Sequence, residues 1–277
     1  MRRITCLAIT FFLALATVWS QERVYLWKDV HSMRNERSSF FVYAPEEEID
    51  THAAVIICHG GSYHHRSMGT EGHDVAAWFT ERGYHAFVLK YRVAMDSYHH
   101  PAMIEDFQRT MQLVRENASQ YGIDPDRVGA IGFSAGGHLV TMAGAFGNQN
   151  FLKNLGIETS VSLKPDFVIP VYPVVSMEKP YAHHWSQISL LGRSATDDVK
   201  HKFSMECQMT KDMPPVFLLA CKDDETVDYH NSVDLDQALT DAGVSHEFVL
   251  RETGGHGFGM NYGWGDTLYS WLKKLYH

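Results

Sequence analysis

Arg127-Val128-Gly129-Ala130-Ile131-Gly132-Phe133-Ser134-Ala135-Gly136-Gly137-His138-Leu139 is the stretch on which the reading of this chain turns. Arg127 to Gly132 is a short apolar run of strand length, and Asp124-Pro125-Asp126 ahead of it is a turn signal. From Ser134 to Ala145 the chain is rich in small residues and begins a helix. Between the two lies the pentapeptide Gly132-Phe133-Ser134-Ala135-Gly136, a Gly-x-Ser-x-Gly pattern. A serine on a tight strand-to-helix turn is held in a strained backbone conformation, and glycines on either side let neighbouring chain approach without a clash. Its hydroxyl then projects above the sheet. The helix start adds unpaired N–H groups and a dipole that favours negative charge. Ser134 is therefore the candidate nucleophile, and the Ala135 N–H a candidate donor to a developing oxyanion.

Outward from this turn, apolar and β-branched runs alternate with amphipathic helical patterns. Ser39 to Tyr43, Ala53 to Cys58, His85 to Tyr91, Phe167 to Tyr172, Val216 to Cys221 and Glu247 to Leu250 read as strands. Asp74 to Arg82, Ser232 to Ala242 and Asp266 to Tyr276 read as helices. A long helix is expected from Pro101 to near Gly122, with Ile104, Phe107, Met111 and Val114 on its apolar face. Such alternation predicts an α/β fold, a mostly parallel sheet with helices on both faces. Residues 174–213 lack clean periodicity and exceed the length of a simple connection, so a partly helical cap insertion is expected there. The remainder of 21–277 reads as one catalytic domain.

Serine is a weak nucleophile unless a base takes its proton, and histidine suits that task near neutral pH. Seventeen histidines compete. Where a serine stands on this kind of turn, its partners follow in the order serine, carboxylate, histidine, with the histidine after the last strand. His256, in Gly254-Gly255-His256-Gly257-Phe258-Gly259, fits that place. The carboxylate should follow Val216 to Cys221, within Lys222-Asp223-Asp224-Glu225-Thr226-Val227-Asp228. Asp224 is preferred, because a turn residue three places before apolar Val227 can point inward. Asp223 is the alternative, and the other carboxylates are expected in solvent. His59-Gly60-Gly61-Ser62 follows directly on Ala53 to Cys58, where a second set of oxyanion donors belongs, and Gly61 and Ser62 are the candidates. His59 is expected to orient that turn rather than to act as the base. No second ligand stands at metal spacing from His256, so no metal and no cofactor is expected.

Composition excludes several classes. Hydrophobic residues make up 45% and charged residues 21%, as in an ordinary globular chain, and the formal net charge is -9. No basic stripe offsets that charge, which argues against nucleic acid as a partner. Met1-Arg2-Arg3, the apolar run from Ile4 to Trp19 and then Ser20-Gln21 have the layout of a secretory signal at 1–20. The run is shorter than the ~20 residues of a spanning helix, so export to the periplasm or beyond, without stable membrane insertion, is expected. Removing it leaves Cys58, Cys207 and Cys221, an odd number. Cys58 and Cys221 end apolar stretches and read as buried free thiols, while Cys207 lies in a more polar segment where pairing is open.

These residues resemble a known family. The chain is similar to the bacterial α/β-hydrolases of the acetyl-xylan-esterase-like and feruloyl-esterase-like group, related to the hormone-sensitive-lipase type. The resemblance covers nearly all of the chain past the signal. It is carried by His59-Gly60-Gly61, Tyr91-Arg92, His100-Pro101 with Asp106 and Gln108-Arg109, Gly122-Ile123-Asp124-Pro125, Gly132 to Leu139, and Gly254 to Phe258. It implies the α/β-hydrolase fold, Ser134, Asp224 and His256 as nucleophile, acid and base, and an oxyanion loop after His59. Arg92 and Asp106 also match, and a buried structural ion pair is the expectation for them. Around the acid the chain departs from the family, with Ala220-Cys221 where His-Gly is common and Asp228 where Pro is common, which keeps Asp223 in play. The implied activity is hydrolysis of a carboxylic ester on a small-molecule or oligosaccharide substrate. Export, the aromatics Tyr181 and Trp185 and the lack of a long apolar lid lean toward acetyl groups on plant polysaccharide. A short-chain esterase or lipase, a small serine peptidase, and an inactive hydrolase fold used for binding are the rival readings.

Overall fold

The computed structural model describes residues 22–276, so the expected signal at 1–20 lies outside the described residues. The strands are β1 Arg23–Tyr25, β2 Ser39–Tyr43, β3 Ala54–Cys58, β4 His85–Lys90, β5 Val128–Phe133, β6 Val168–Val171, β7 Val216–Cys221 and β8 His246–Arg251. The α-helices are α1 Asp74–Thr80, α2 Ala102–Glu116, α3 Ala118–Tyr121, α4 Ala135–Ala145, α5 His184–Leu191, α6 Asp197–Lys202, α7 His230–Asp241 and α8 Gly265–Lys274.

The strands form one eight-stranded sheet in the order β1-β2-β4-β3-β5-β6-β7-β8. β1 and β2 make the antiparallel edge, and β4, β3, β5, β6, β7 and β8 run parallel. Parallel strands are buried on both faces, and successive residues go to opposite sides. Ala54, Ile56 and Cys58 join the core under α2, α4 and α7, through Ile104, Met111, Leu139 and Leu235. Val55 and Ile57 join the opposite core with Phe79 of α1 and Leu268, Trp271 and Leu272 of α8. Each fully buried Val, Leu, Ile, Phe or Met among them contributes about 1.5–3 kcal/mol relative to leaving it in water.

The parallel register matters for function because it brings strand ends together. Cys58 pairs with Gly132 and Phe133 with Val171, while Cys221 pairs with Arg251 at the end of β8. The turns after β3, β5, β6, β7 and β8 therefore meet at one edge, the carboxyl edge where open α/β sheets bind ligands.

Two features differ from the sequence expectation. β1 was not anticipated; its three residues lack an apolar run and pair only with β2. The long helix breaks at Asn117, whose backbone leaves helical geometry and whose Nδ2 donates to Leu113 O at 2.7 Å, so α3 is separate. Between β6 and β7 the chain forms α5 and α6. Arg92 Nε lies 3.0 Å from Asp106 Oδ1, Arg92 Nη2 2.9 Å from Glu105, and Trp27 Nε1 also donates to Asp106. This buried pair ties the end of β4 to α2. Cys58 and Cys221 are buried and Cys207 exposed, all as free thiols. Among the described residues no helix is long and apolar enough to cross a membrane.

Candidate active site

Ser134 stands between β5 and α4 with φ 53° and ψ −118°, a conformation costly for any residue with a side chain. Three backbone bonds hold it there: its N–H donates to Val171 O at 3.0 Å, and its carbonyl accepts from Val174 at 3.1 Å and His138 at 3.2 Å. The flanking glycines are required by contact. A Cβ on Gly132 would stand 2.0 Å from Gly136 O, and one on Gly136 would stand 2.2 Å from Cys58 O. The turn after β3 is equally tight, since a Cβ on Gly60 would lie 3.1 Å from Ser134 Cβ and 2.6 Å from Glu71 Oε2. Gly61 and Ser62 follow with φ 111° and 57°. The N–H groups of Gly61, Ser62 and Ala135 donate to no other described residue, which leaves them free for an anion beside Ser134.

His256 Nε2 lies 2.9 Å from Ser134 Oγ, and its Nδ1 lies 2.7 Å from Asp224 Oδ2. Asp224 is held in turn, because Oδ1 accepts the N–H groups of Thr226 at 2.8 Å and Val227 at 2.9 Å. Its side chain is only 2% exposed. The structure thus brings Ser134, His256 and Asp224 into one line. Asp223 does not touch the imidazole, yet it is not simply solvated as expected of the other carboxylates. Its oxygens accept from Gly254 N–H at 3.2 Å and Gly255 N–H at 2.9 Å, fastening the loop that carries His256. The Gly255 N–H holds the Asp223 carboxyl below the usual range.

His59 is fully buried, stacked on Tyr91 with ring centres 4.2 Å apart, and its Nδ1–H donates to Gly60 O at 2.6 Å. Burial pushes its pKa down to about 3, so it is a neutral brace for the turn.

Three residues at the site were not singled out by the sequence reading. His138, on α4, takes a hydrogen bond from Tyr63 OH at 2.8 Å through Nδ1 and donates from Nε2 to Phe203 O at 2.8 Å. It therefore joins the turn after β3 to the segment after α6, and burial drives its pKa down to about 4. Glu71, only 4% exposed, accepts from Gly60 N–H at 3.0 Å and from Tyr172 OH at 2.9 Å. Burial raises its carboxyl above the ordinary range, and the bond from Tyr172 pulls it back. Tyr172, just past β6, also accepts from Gly259 N–H at 3.1 Å and lies with its ring centre 4.6 Å from that of His256. Like Ser134, it is the first residue past a strand's carboxyl end, although the apolar run that marks this strand in the sequence continues through it. A cleft of about 330 Å³ opens beside Glu71 and Gly257.

Away from these residues, the ligating atoms of Glu178, His201 and Cys207 lie within 4.8 Å of one another, all exposed. His201 and Cys207 both bond Glu178 directly, and none of the three belongs to the Ser134 site.

A mostly parallel sheet carrying a serine on a strained turn after β5, with its partners after β7 and β8, is the architecture of an α/β-hydrolase. Comparison with known proteins narrows this. The BD-FAE family model matches residues 41–239, and the chain belongs to that family. A solved acetyl ester-xyloside bifunctional hydrolase from Caldicellulosiruptor lactoaceticus superposes with a TM-score of 0.82 at 30% identity, covering 92% of this chain and 96% of that one. An acetylxylan esterase of Xylanibacter ruminicola is 28% identical over 232 residues, covering 80% of this chain and 45% of that protein. Endo-1,4-beta-xylanase B of Butyrivibrio fibrisolvens is 31% identical over 222 residues, covering 79% of this chain and 34% of that protein. The chain thus spans less than half the length of either of these two relatives. By class it is an acetyl-xylan-esterase-like member of the α/β-hydrolase esterases.

Proposed function

We propose that this chain hydrolyses carboxylic esters through an acyl-enzyme, and that its substrate is an acetyl group on a xylan-type oligosaccharide or polysaccharide. The observation that carries the chemistry is the relay from Ser134 Oγ to His256 Nε2 at 2.9 Å and from His256 Nδ1 to Asp224 at 2.7 Å. In this reading Ser134 Oγ attacks the ester carbonyl while His256 takes its proton. Asp224 keeps Nδ1 protonated, so that Nε2 is the free base, and stabilises the imidazolium that forms. The N–H groups of Gly61, Ser62 and Ala135 hold the oxyanion. The alcohol leaves with the proton from His256, and water, activated by the same imidazole, releases acetate. These residues complete the reaction without a cofactor. The catalytic unit is read as 21–277, with 174–213 as its cap, exported by the signal at 1–20.

For the substrate, the support comes from the relatives and from one side chain. Trp185 is 45% exposed on α5, and its indole stands edge-on to His64, 5.3 Å between ring centres. His64 belongs to the turn that carries Gly61 and Ser62, so an open aromatic face adjoins the place where the ester would lie. Tyr181, by contrast, donates to Asp234 and packs beside His230, as a structural residue does.

Ser134→Ala tests the chemistry. It should abolish hydrolysis of p-nitrophenyl acetate and labelling by a fluorophosphonate while leaving the circular dichroism spectrum unchanged, and retained turnover would overturn the assignment. A panel of acetylated xylan, feruloyl esters, longer-chain esters and a proline-containing peptide tests the substrate, with acetylated xylan expected to give the highest kcat/KM.

A further inference from the structure

A buried carboxylate directly behind the site has no part in the reaction just described. Glu71 lies on the turn Gly69–His73 before α1, and the Gly60 N–H, the Tyr172 hydroxyl and the Ser67 hydroxyl all bond its carboxylate. Oε2 takes the Gly60 N–H at 3.0 Å, and Oε1 takes the Tyr172 hydroxyl at 2.9 Å. Having given its proton to Glu71, the Tyr172 oxygen is free to accept, and it takes the Gly259 N–H at 3.1 Å. The result is one chain of bonds, from Gly60 through Glu71 and Tyr172 to Gly259, with every proton pointing toward the carboxylate or the phenol.

The two ends of that chain are the informative part. Gly60 is the residue before Gly61 and Ser62, and its backbone passes so close to Ser134 that no side chain fits. Gly259 is three residues past His256 in the loop after β8. The two turns come from opposite halves of the sheet edge, and Glu71 with Tyr172 bridges them beneath the site. The Tyr172 backbone is held at φ 36°, a strained value for a tyrosine, and its ring lies against the imidazole. Strain retained at one residue in contact with the base is what a fixed strut requires.

On the ester-hydrolase reading above, we propose that Glu71 is a positioning residue for the reaction, fixing the oxyanion turn through Gly60 and the His256 loop through Tyr172 and Gly259. Its charge adds a second effect. The groups facing His256 are Asp224, the Tyr172 ring, His183 at the start of α5, and Glu71 behind Tyr172. Two of these are carboxylates, so Glu71 is a countercharge for the protonated imidazole that forms when Ser134 attacks.

Glu71→Gln keeps the shape, removes the charge and turns one acceptor into a donor facing either Gly60 N–H or the Tyr172 hydroxyl. With p-nitrophenyl acetate, kcat should fall by about 10- to 100-fold, the scale of a displaced reacting geometry, while KM changes by less than about threefold. The acid limb of the kcat/KM profile should move to lower pH, because a neutral side chain no longer favours the protonated base. A merely structural role would lower the melting temperature and leave that limb in place. Tyr172→Phe cuts the bridge and keeps the carboxylate, so it should lower kcat similarly with a smaller movement of the limb. Glu71→Asp should recover part of the limb shift. If wild-type protein cleaves no ester, the ester-hydrolase reading fails. If wild type is active but Glu71→Gln and Tyr172→Phe keep its kcat and acid limb, the positioning role alone is overturned. Should Glu71→Gln fail to fold, a wild-type kcat in Tyr172→Phe overturns it equally.

Discussion

The turns after β3 and β5 and the loops after β7 and β8 meet at the same edge of the sheet, but opposite means build them. In the first half, backbone presses on backbone. Gly60, Gly132 and Gly136 are there because neighbouring main chain or Ser134 occupies the space of a side chain. In the second half, Gly255 and Gly257 face open space and are needed only for their left-handed φ of 64° and 72°. What fixes that half is hydrogen bonding to carboxylates: Asp223 to the backbone of 254 and 255, Asp224 to the backbone of 226 and 227 and to His256. Steric packing holds the nucleophile, and charge holds the base. The first is stiff against a side chain, whereas the second yields in proportion to the bond removed at 255 to 257; on either side of that stretch packing returns, a Cβ on Gly254 meeting Cys221 Sγ at 2.6 Å and one on Gly259 meeting Thr70 O at 2.5 Å.

Alanine substitutions in the two halves give the largest expected contrast. Gly136→Ala would place its Cβ 2.2 Å from Cys58 O and 2.4 Å from His59 O, both backbone atoms that cannot swing aside. Loss of folded protein, or of all measurable esterase activity, is expected on expression and assay. Gly255→Ala meets no atom within 4 Å and costs only the left-handed backbone, about 1–2 kcal/mol. A fall in melting temperature of roughly 2–8 °C with activity retained is the expected outcome. If both variants behaved alike, the contrast between the two halves would not hold.

The adjacent carboxylates sharpen the second half. Asp224→Asn keeps an acceptor for Thr226 and Val227 but presents an amide to His256 Nδ1, which favours the wrong tautomer. A drop in kcat of about 10⁴-fold is expected, with little change in KM. Asp223→Asn keeps one oxygen for Gly255, and because the group is exposed its loss should stay within about tenfold. Steady-state kinetics on one small ester decides between them, and a larger loss at Asp223 would reverse the two roles.

How much of this was legible follows the same division. Packing by glycine leaves a mark in the sequence, because few patterns besides Gly-x-Ser-x-Gly fit a serine between a strand and a helix; Ser134 and the turn at Gly60-Gly61 were read from it. The sheet was legible because buried parallel strands are continuous apolar runs. β1 was not, since its three residues have no such run, and the break at Asn117 was hidden by an apolar period that continues across it. Bonding by carboxylates leaves little mark. Asp223 and Asp224 are neighbours of identical chemistry, and which one meets the imidazole is decided by the turn at 224–227. Glu71 stands in a polar stretch between His64 and Asp74 where an acidic residue reads as solvated. Its burial arises from Gly60 and Tyr172, residues 11 and 101 positions away in the chain.

The segment between β6 and β7 belongs to neither half, and it carries the smallest and most selective expected effect. α5 is capped by His183, whose Nδ1 lies 2.8 Å from Ser186 Oγ, and is tied down by a bond from Gln187 to Met177 O. Trp185 projects from this anchored turn, where its indole meets the His64 ring edge-on. Trp185→Ala removes an exposed ring and puts a strong helix former in its place, so stability should change by no more than about 0.5 kcal/mol. If the indole stacks on the sugar that bears the acetyl group, an aromatic contact of about 0.5–1.5 kcal/mol is lost. KM for an acetylated xylo-oligosaccharide should then rise by roughly 2- to 13-fold, while p-nitrophenyl acetate, which has no sugar, is hydrolysed as before. Equal losses on both substrates would mean that Trp185 supports the turn at His64 rather than the sugar. No loss on either would assign recognition of the alcohol to the glycine-built half alone.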